Sequence, residues 1–258
     1  MNAKRIVVKV GTSTLTYDNG KMNIRRMAKL VSVLSDLKNS GLEVVLVTSA
    51  AVAVGVSKLR LPCRPKDVMG RQAAASVGQS ELMFMYDKLF DEYHHTIAQL
   101  LITRGDVEVE DRRNNLINTF NKLFEFGAIP IINENDSVCT EELVFGDNDT
   151  LSAIVARLVN ADTLIMLTDI DGLYSGDPRI DKSATLIPVV EKIDESISSI
   201  AGSNGTERGT GGMMTKISAA KISTAAGIDT YIVNGDHPTN IYKIIDGEAI
   251  GTCFKASK

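Results

Sequence analysis

Residues Arg5 to Ser13 read RIVVKVGTS. The apolar residues of this run do not alternate with polar ones, and a strand without a polar face is covered on both sides. Such strands belong to mostly parallel sheets, and the chain repeats the pattern almost from end to end. Strand-length apolar runs recur at RIVVKV (5–10), EVVLVTS (43–49), TIAQLLIT (96–103), AIPIINE (128–134), TLIMLTD (163–169) and DTYIVNG (229–235). Amphipathic runs of helical length fill the gaps, at 23–39, 70–91, 111–126, 148–159 and 212–226, with Gly41, Gly127 and Gly227 as C-terminal stops. The alternation predicts an α/β fold, a central parallel sheet sandwiched by helices in three αβα layers. CTEELVFGD (139–147) reads as an antiparallel hairpin at the sheet edge. No linker rich in Pro, Gly and Ser divides the chain, so we expect one domain over 1–258, with a soft division into lobes near residue 160.

Composition narrows the function. The 258 residues are 44% hydrophobic, enough for a buried core, and carry a net charge of −4. No apolar run approaches the roughly 18 residues of a membrane span, and no secretory apolar segment precedes the first strand. A cytoplasmic protein is expected. Cys63, Cys139 and Cys253 are odd in number and widely spaced, which favours neither a disulfide framework nor a zinc site. Adjacent His94 and His95 would point to opposite faces of a strand and could not share a metal. The acidic balance and the lack of a basic, aromatic-rich stretch argue against nucleic acid.

In an open α/β sheet, ligands bind beyond the carboxyl ends of the strands, and the unusual residues of this sequence collect there. Lys9 interrupts an otherwise apolar strand one residue before its end, where Gly11 lets backbone amides approach a ligand. A buried ammonium is costly without a partner, so Lys9 either snorkels to water or meets an anion. Ser49, Ala50 and Ala51 follow the second strand with small residues opening a helix, either an anion cradle or simple helix–strand packing. INENDS and FGDNDTLSA supply Asn133, Asp136, Asn148 and Asp149, which suit turns and caps or a cationic group, while Asp147 reads as a helix cap. TDIDGLYSGDPR is a long polar loop after the strand at 163.

RGTGGMMTK (208–216) matches neither the Walker loop nor the dinucleotide fingerprint. What it offers is a glycine-rich approach to a helix N-terminus, with Lys216 in the first turn. Amides and the positive end of the dipole face an anion there. A lysine at that position is locally unfavourable and asks for a negative partner, which a polyphosphate would supply. The methionines at 83, 85, 213 and 214 read as packing residues.

Taken together and in this order, VVKVGTS, VTSAAVAVG, IPIINENDS, FGDNDTLSA, LTDIDGLY, DPR and GTGGMMTK resemble the amino acid kinase superfamily and, within it, the glutamate 5-kinase family. The resemblance covers nearly the whole chain. It departs at Ala50, usually glycine in the family, and the chain stops near 258 without the C-terminal PUA-like domain of many relatives. It implies Mg²⁺- and ATP-dependent phosphorylation of the L-glutamate side-chain carboxylate, the first step of proline synthesis. It implies an amino acid site in the N-terminal lobe and an ATP site in the C-terminal lobe. Lys9 and Lys216 would grip the transferring phosphoryl group, with Asp149 bridging and orienting both. Ser49, Asp136 and Asn148 would hold glutamate, with Asp136 on its α-ammonium. Lys9, Thr168, Asp169 and the segment Thr210, Gly211, Gly212, Met213, Met214, Thr215 and Lys216 would hold ATP. No protein ligand for a metal is assigned. A homo-oligomer, dimer or tetramer, and feedback by proline are implied, with no nucleic-acid or membrane partner. Kinases of the superfamily acting on aspartate, N-acetylglutamate, carbamate or a nucleoside monophosphate are the nearest alternatives, followed by a ligand sensor without catalysis.

Overall fold

The computed structural model describes residues 4–138, 147–178, 180–202 and 212–257. Most of the hairpin expected at 139–147, together with Arg179, Thr210 and Gly211, lies outside the described residues. In chain order the elements are β1 (Arg5–Val10), α1 (Thr12–Leu15), α2 (Ile24–Asn39), β2 (Glu43–Thr48), α3 (Ala51–Lys58), α4 (Val68–Asp91), β3 (Ile97–Ile102), α5 (Arg104–Glu108), α6 (Glu110–Glu125), β4 (Ile129–Glu134), α7 (Asn148–Leu158), β5 (Thr163–Thr168), β6 (Val189–Val190), α8 (Glu195–Gly202), α9 (Met213–Ala225), β7 (Asp229–Asn234), α10 (Asn240–Ile245) and β8 (Thr252–Phe254). All six expected strands and five expected helices are present within two residues at each end.

The chain forms two compact units, Val10–Phe145 and Met1–Lys9 with Gly146–Lys258. The division falls at 146 rather than near 160, and the first strand joins the C-terminal unit. The reason is packing: α7 lies against α9 and β5, and β1 is the sheet neighbour of β5.

In the unit Val10–Phe145 the strand order is β3-β4-β2. Both pairings are parallel, with Leu46 opposite Ile131 and Leu100 opposite Ile132. Parallel strands side by side end at one rim, so Ser49, Thr103 and Asn135 open loops on the same side. The last five residues of β2 and all of β4 are buried, as continuous apolar strands require. Helices α3 and α4 pack at unusually close range. A Cβ on Gly55 would lie 1.7 Å from the Ala74 carbonyl oxygen, and one on Gly78 would lie 1.8 Å from that of Ala51. Only glycine fits at either crossing. Tyr86 of α4 is fully buried, and its hydroxyl reaches Thr48 Oγ1 of β2 at 2.8 Å.

In the other unit the order is β1-β5-β7-β8-β6. β5 and β7 pair in parallel over their whole length, whereas β7 and β8 are antiparallel. β6 and β8, absent from the sequence expectation, are two and three residues long, too short to leave a periodic signal. Asp147 caps α7, its side chain accepting from the Thr150 amide at 2.8 Å. Among the described residues no helix is long and apolar enough to cross a membrane.

His94 and His95 lie before β3, outside any strand. His94 has a positive φ of 59° in the turn after α4, and His95 precedes β3. His95 Nε2 faces the Ser35 carbonyl at 3.3 Å.

Candidate active site

β1 is apolar and buried except at its first residue, and Lys9 is carried into that interior, only 7% exposed. Its ammonium meets Asp149 Oδ1 at 2.6 Å. Asp149 is the second residue of α7 and is fully buried. Its other oxygen, Oδ2, accepts from Lys216 Nζ at 3.2 Å and lies 2.8 Å from the Thr215 hydroxyl. Lys216 stands in the first turn of α9 and is 6% exposed. Two lysines 207 positions apart in the sequence (216 minus 9) thus meet on one carboxylate.

The electrostatics follow from that arrangement. Burial pushes the Asp149 carboxyl up, but the Lys9 and Lys216 ammonium groups outweigh it and hold the carboxyl below its ordinary value. The Lys9–Asp149–Lys216 trio therefore carries one net positive charge, largely removed from water. An excess buried charge is costly without a counterion, and the carboxylate of Asp147 also lies within electrostatic reach of Lys9 and Asp149. Beside the trio, Gly212 caps α9 in extended conformation without a side-chain bond to the helix, and a Cβ there would meet nothing within 4 Å among the described residues.

At the end of β5, buried Thr168 donates to Asp169 Oδ1 at 3.0 Å, and the Thr168 carbonyl accepts from Gly235. Met213 is buried, but Met214 is 44% exposed and is not a packing residue. Lys9, Asp149, Thr215 and Lys216 thus form one cluster, while Thr168, Asp169, Gly212 and Asn148 lie in the same unit.

Ser49 and Asp136 belong to the other unit. Asp136 follows β4 and lines a small concavity with Ala51, Gln79, Leu101, Asn135 and Ser137. Burial pushes its carboxyl up, and the positive charge of Arg64 only partly offsets this. Ser137 is tied to α4 through Ser76, with hydroxyls 2.7 Å apart. Gln79, which the sequence analysis did not single out, also lines this concavity. It sits in the middle of α4, next to Gly78, whose missing Cβ lets the helix pass close to Ala51 of α3.

A protein-family model described as the amino acid kinase family matches residues 4–234. The chain belongs to the amino acid kinase family. Over its full length it is 53% identical to a glutamate 5-kinase of Clostridium perfringens, covering 97% of that protein. It is 52% identical to a glutamate 5-kinase of Clostridium tetani (96% covered) and 51% identical to one of Listeria monocytogenes (95% covered). Within the family it falls among the glutamate 5-kinases. Solved structures of the same fold include an isopentenyl phosphate kinase of T. acidophilum (TM-score 0.68, 20% identity, 97% of this chain and 99% of that one). A UMP kinase from Bacillus anthracis is similar at TM-score 0.66 and 15% identity, with 99% and 97% covered.

Proposed function

We propose that the chain transfers the γ-phosphoryl group of ATP to the side-chain carboxylate of L-glutamate, giving L-glutamyl 5-phosphate, the entry to proline synthesis. The observation that carries this reading is the pairing of Lys9 and Lys216 on Asp149, together with full-length identity of about half to glutamate 5-kinases.

The chemistry suits the residues. The acceptor carboxylate is ionised at neutral pH and needs no general base. The obstacle is repulsion between two anions, and positioning with electrostatic stabilisation overcomes it. Lys9 and Lys216 neutralise the migrating group, and Asp149 holds both ammonium groups at fixed positions. Thr168, Asp169 and the segment Thr210 to Lys216 hold ATP. Ser49, Asp136 and Asn148 hold glutamate, with Asp136 on the α-ammonium.

Among the described residues no three His, Cys, Asp or Glu side chains gather as a metal cage. Mg²⁺ arriving on ATP would be held by phosphate oxygens and water with at most one or two protein carboxylates; it would neutralise phosphate charge. A homo-oligomer, proline feedback and a cytoplasmic location belong to the same reading.

The test is a panel of L-glutamate, L-aspartate, N-acetylglutamate, carbamate and UMP with Mg-ATP, scored by ADP release and by hydroxylamine trapping. ADP and hydroxamate are expected together, with glutamate alone. Turnover of another acceptor, or ADP without hydroxamate, contradicts the assignment.

A further inference from the structure

The wall of the concavity around Asp136 contains a hydrogen-bond chain of fixed polarity. The Glu134 backbone amide donates to Asn133 Oδ1 at 2.9 Å. A backbone N–H can only donate, so the opposite end of the Asn133 amide is its NH₂. That NH₂ donates to Gln79 Oε1 at 2.8 Å. The Gln79 amide is thereby oriented too, and its NH₂ must point onward. Gln79 is only 8% exposed, yet its Nε2 has no hydrogen-bond partner among the described residues. A buried donor left unsatisfied is costly, and a native one calls for an explanation. Gln79 lines the concavity that holds Asp136, so a ligand acceptor there is the explanation that fits.

The nature of that acceptor follows from the lining. Asp136 and Glu134 both line the concavity, and an acidic lining draws an ammonium. An α-amino acid carries its carboxylate on the same carbon, so an anion must lie next to that ammonium. Among the described residues that line the concavity none is a lysine or arginine, and Arg64, which acts on Asp136 by its charge, is not among them, so neutral donors in the wall face that anion. The Ser137 hydroxyl is already engaged with Ser76. We propose that Gln79 is a substrate-contacting residue whose carboxamide donates to the α-carboxylate of the amino acid acceptor and selects for it. The proposal rests on the reading that L-glutamate is that acceptor.

Kinetics of the full chain with Mg-ATP test it through Gln79→Glu and Gln79→Met. Gln79→Glu keeps an oxygen to accept from Asn133 but removes the donor, so a role confined to supporting Asn133 would survive it. The KM for L-glutamate should rise between about tenfold and a hundredfold in both variants, the scale of one lost hydrogen bond to a charged group. The kcat at saturating glutamate and the KM for ATP should stay at parental values. The α-carboxamide of glutamate, which keeps the reactive γ-carboxylate, should show a comparably raised KM with the parent and little further loss with Gln79→Met.

Parental glutamate KM in the variants, or losses that simply multiply when variant and analogue are combined, overturn the role of Gln79 while leaving the kinase reading intact. Should neither variant fold, equal KM values for glutamate and its α-carboxamide on the parent overturn it without any variant, and a raised value supports it. A parent inert toward glutamate defeats both ideas, and that failure is visible before any variant is made.

Discussion

At the scale of single residues, the account turns on Asp149 and the two ammonium groups it holds. Lys216→Met should leave a folded protein, because Asp149 keeps Lys9 and Thr215 as partners. Turnover should fall on the order of 10² to 10³, the usual cost of removing one preorganised electrostatic contact; steady-state kinetics beside a thermal melt check both halves. Asp149 also makes a pH prediction. Its folded value lies below its unfolded one, so its contribution to stability is complete above the ordinary carboxylate range and is lost as pH falls through the folded value. Asp149→Asn leaves two buried ammonium groups without their carboxylate and should cost about 3–5 kcal/mol at neutral pH. Urea unfolding across a pH series should show the gap between parent and variant closing toward zero in acid. Asp136 behaves oppositely, since burial lifts its carboxyl. Its hold on an ammonium should weaken at a pH above the ordinary carboxylate range. The glutamate KM should therefore climb on mild acidification in the parent, and Asp136→Asn should start high and stay flat over the same range.

Elements decide where those residues stand, and two backbone features set the α3–α4 corner. Ala50, the N-cap of α3, has φ of 85° and is 6% exposed. A left-handed alanine is strained where glycine is not. Ala50→Gly should raise stability by about 0.5–1 kcal/mol in denaturant melts, strain relief exceeding the added entropy of the unfolded chain. Gly78→Ala should do the reverse, because its Cβ would fall on backbone rather than on a pliable side chain. A loss of about 1–3 kcal/mol or more is expected, with a raised glutamate KM as Gln79 shifts. Much at this scale was legible beforehand. Continuous apolar strands, glycine stops and the Asp147 cap are local signals, and the elements they announced stand within two residues of expectation. Lys9 and Lys216 were legible for a related reason: a charge inside an apolar strand and a cation at a helix N-terminus each break a local rule. Gln79 broke none. Its importance arises from a crossing of two helices and a chain of amides, neither of which leaves a periodic trace.

On the scale of the whole molecule, the mostly parallel α/β architecture and the family could be read from the sequence, but the boundary between the compact units could not. Which unit owns α7 and β1 depends on packing against β5 and α9, contacts between segments distant in the chain. The consequence is that Lys9, Asp149 and Lys216 all belong to one unit, so the charge cluster is a property of that unit alone. The chemistry assigned to it is attack by a carboxylate oxygen on the γ-phosphorus of ATP. Glutamate labelled with ¹⁸O in the side-chain carboxylate tests this directly, with hydroxylamine present to cleave the product at carbon. The account predicts that the released phosphate carries one ¹⁸O from the amino acid in step with hydroxamate formed. Phosphate free of label, with ADP still produced, would mean that water or another group is the nucleophile and would contradict it.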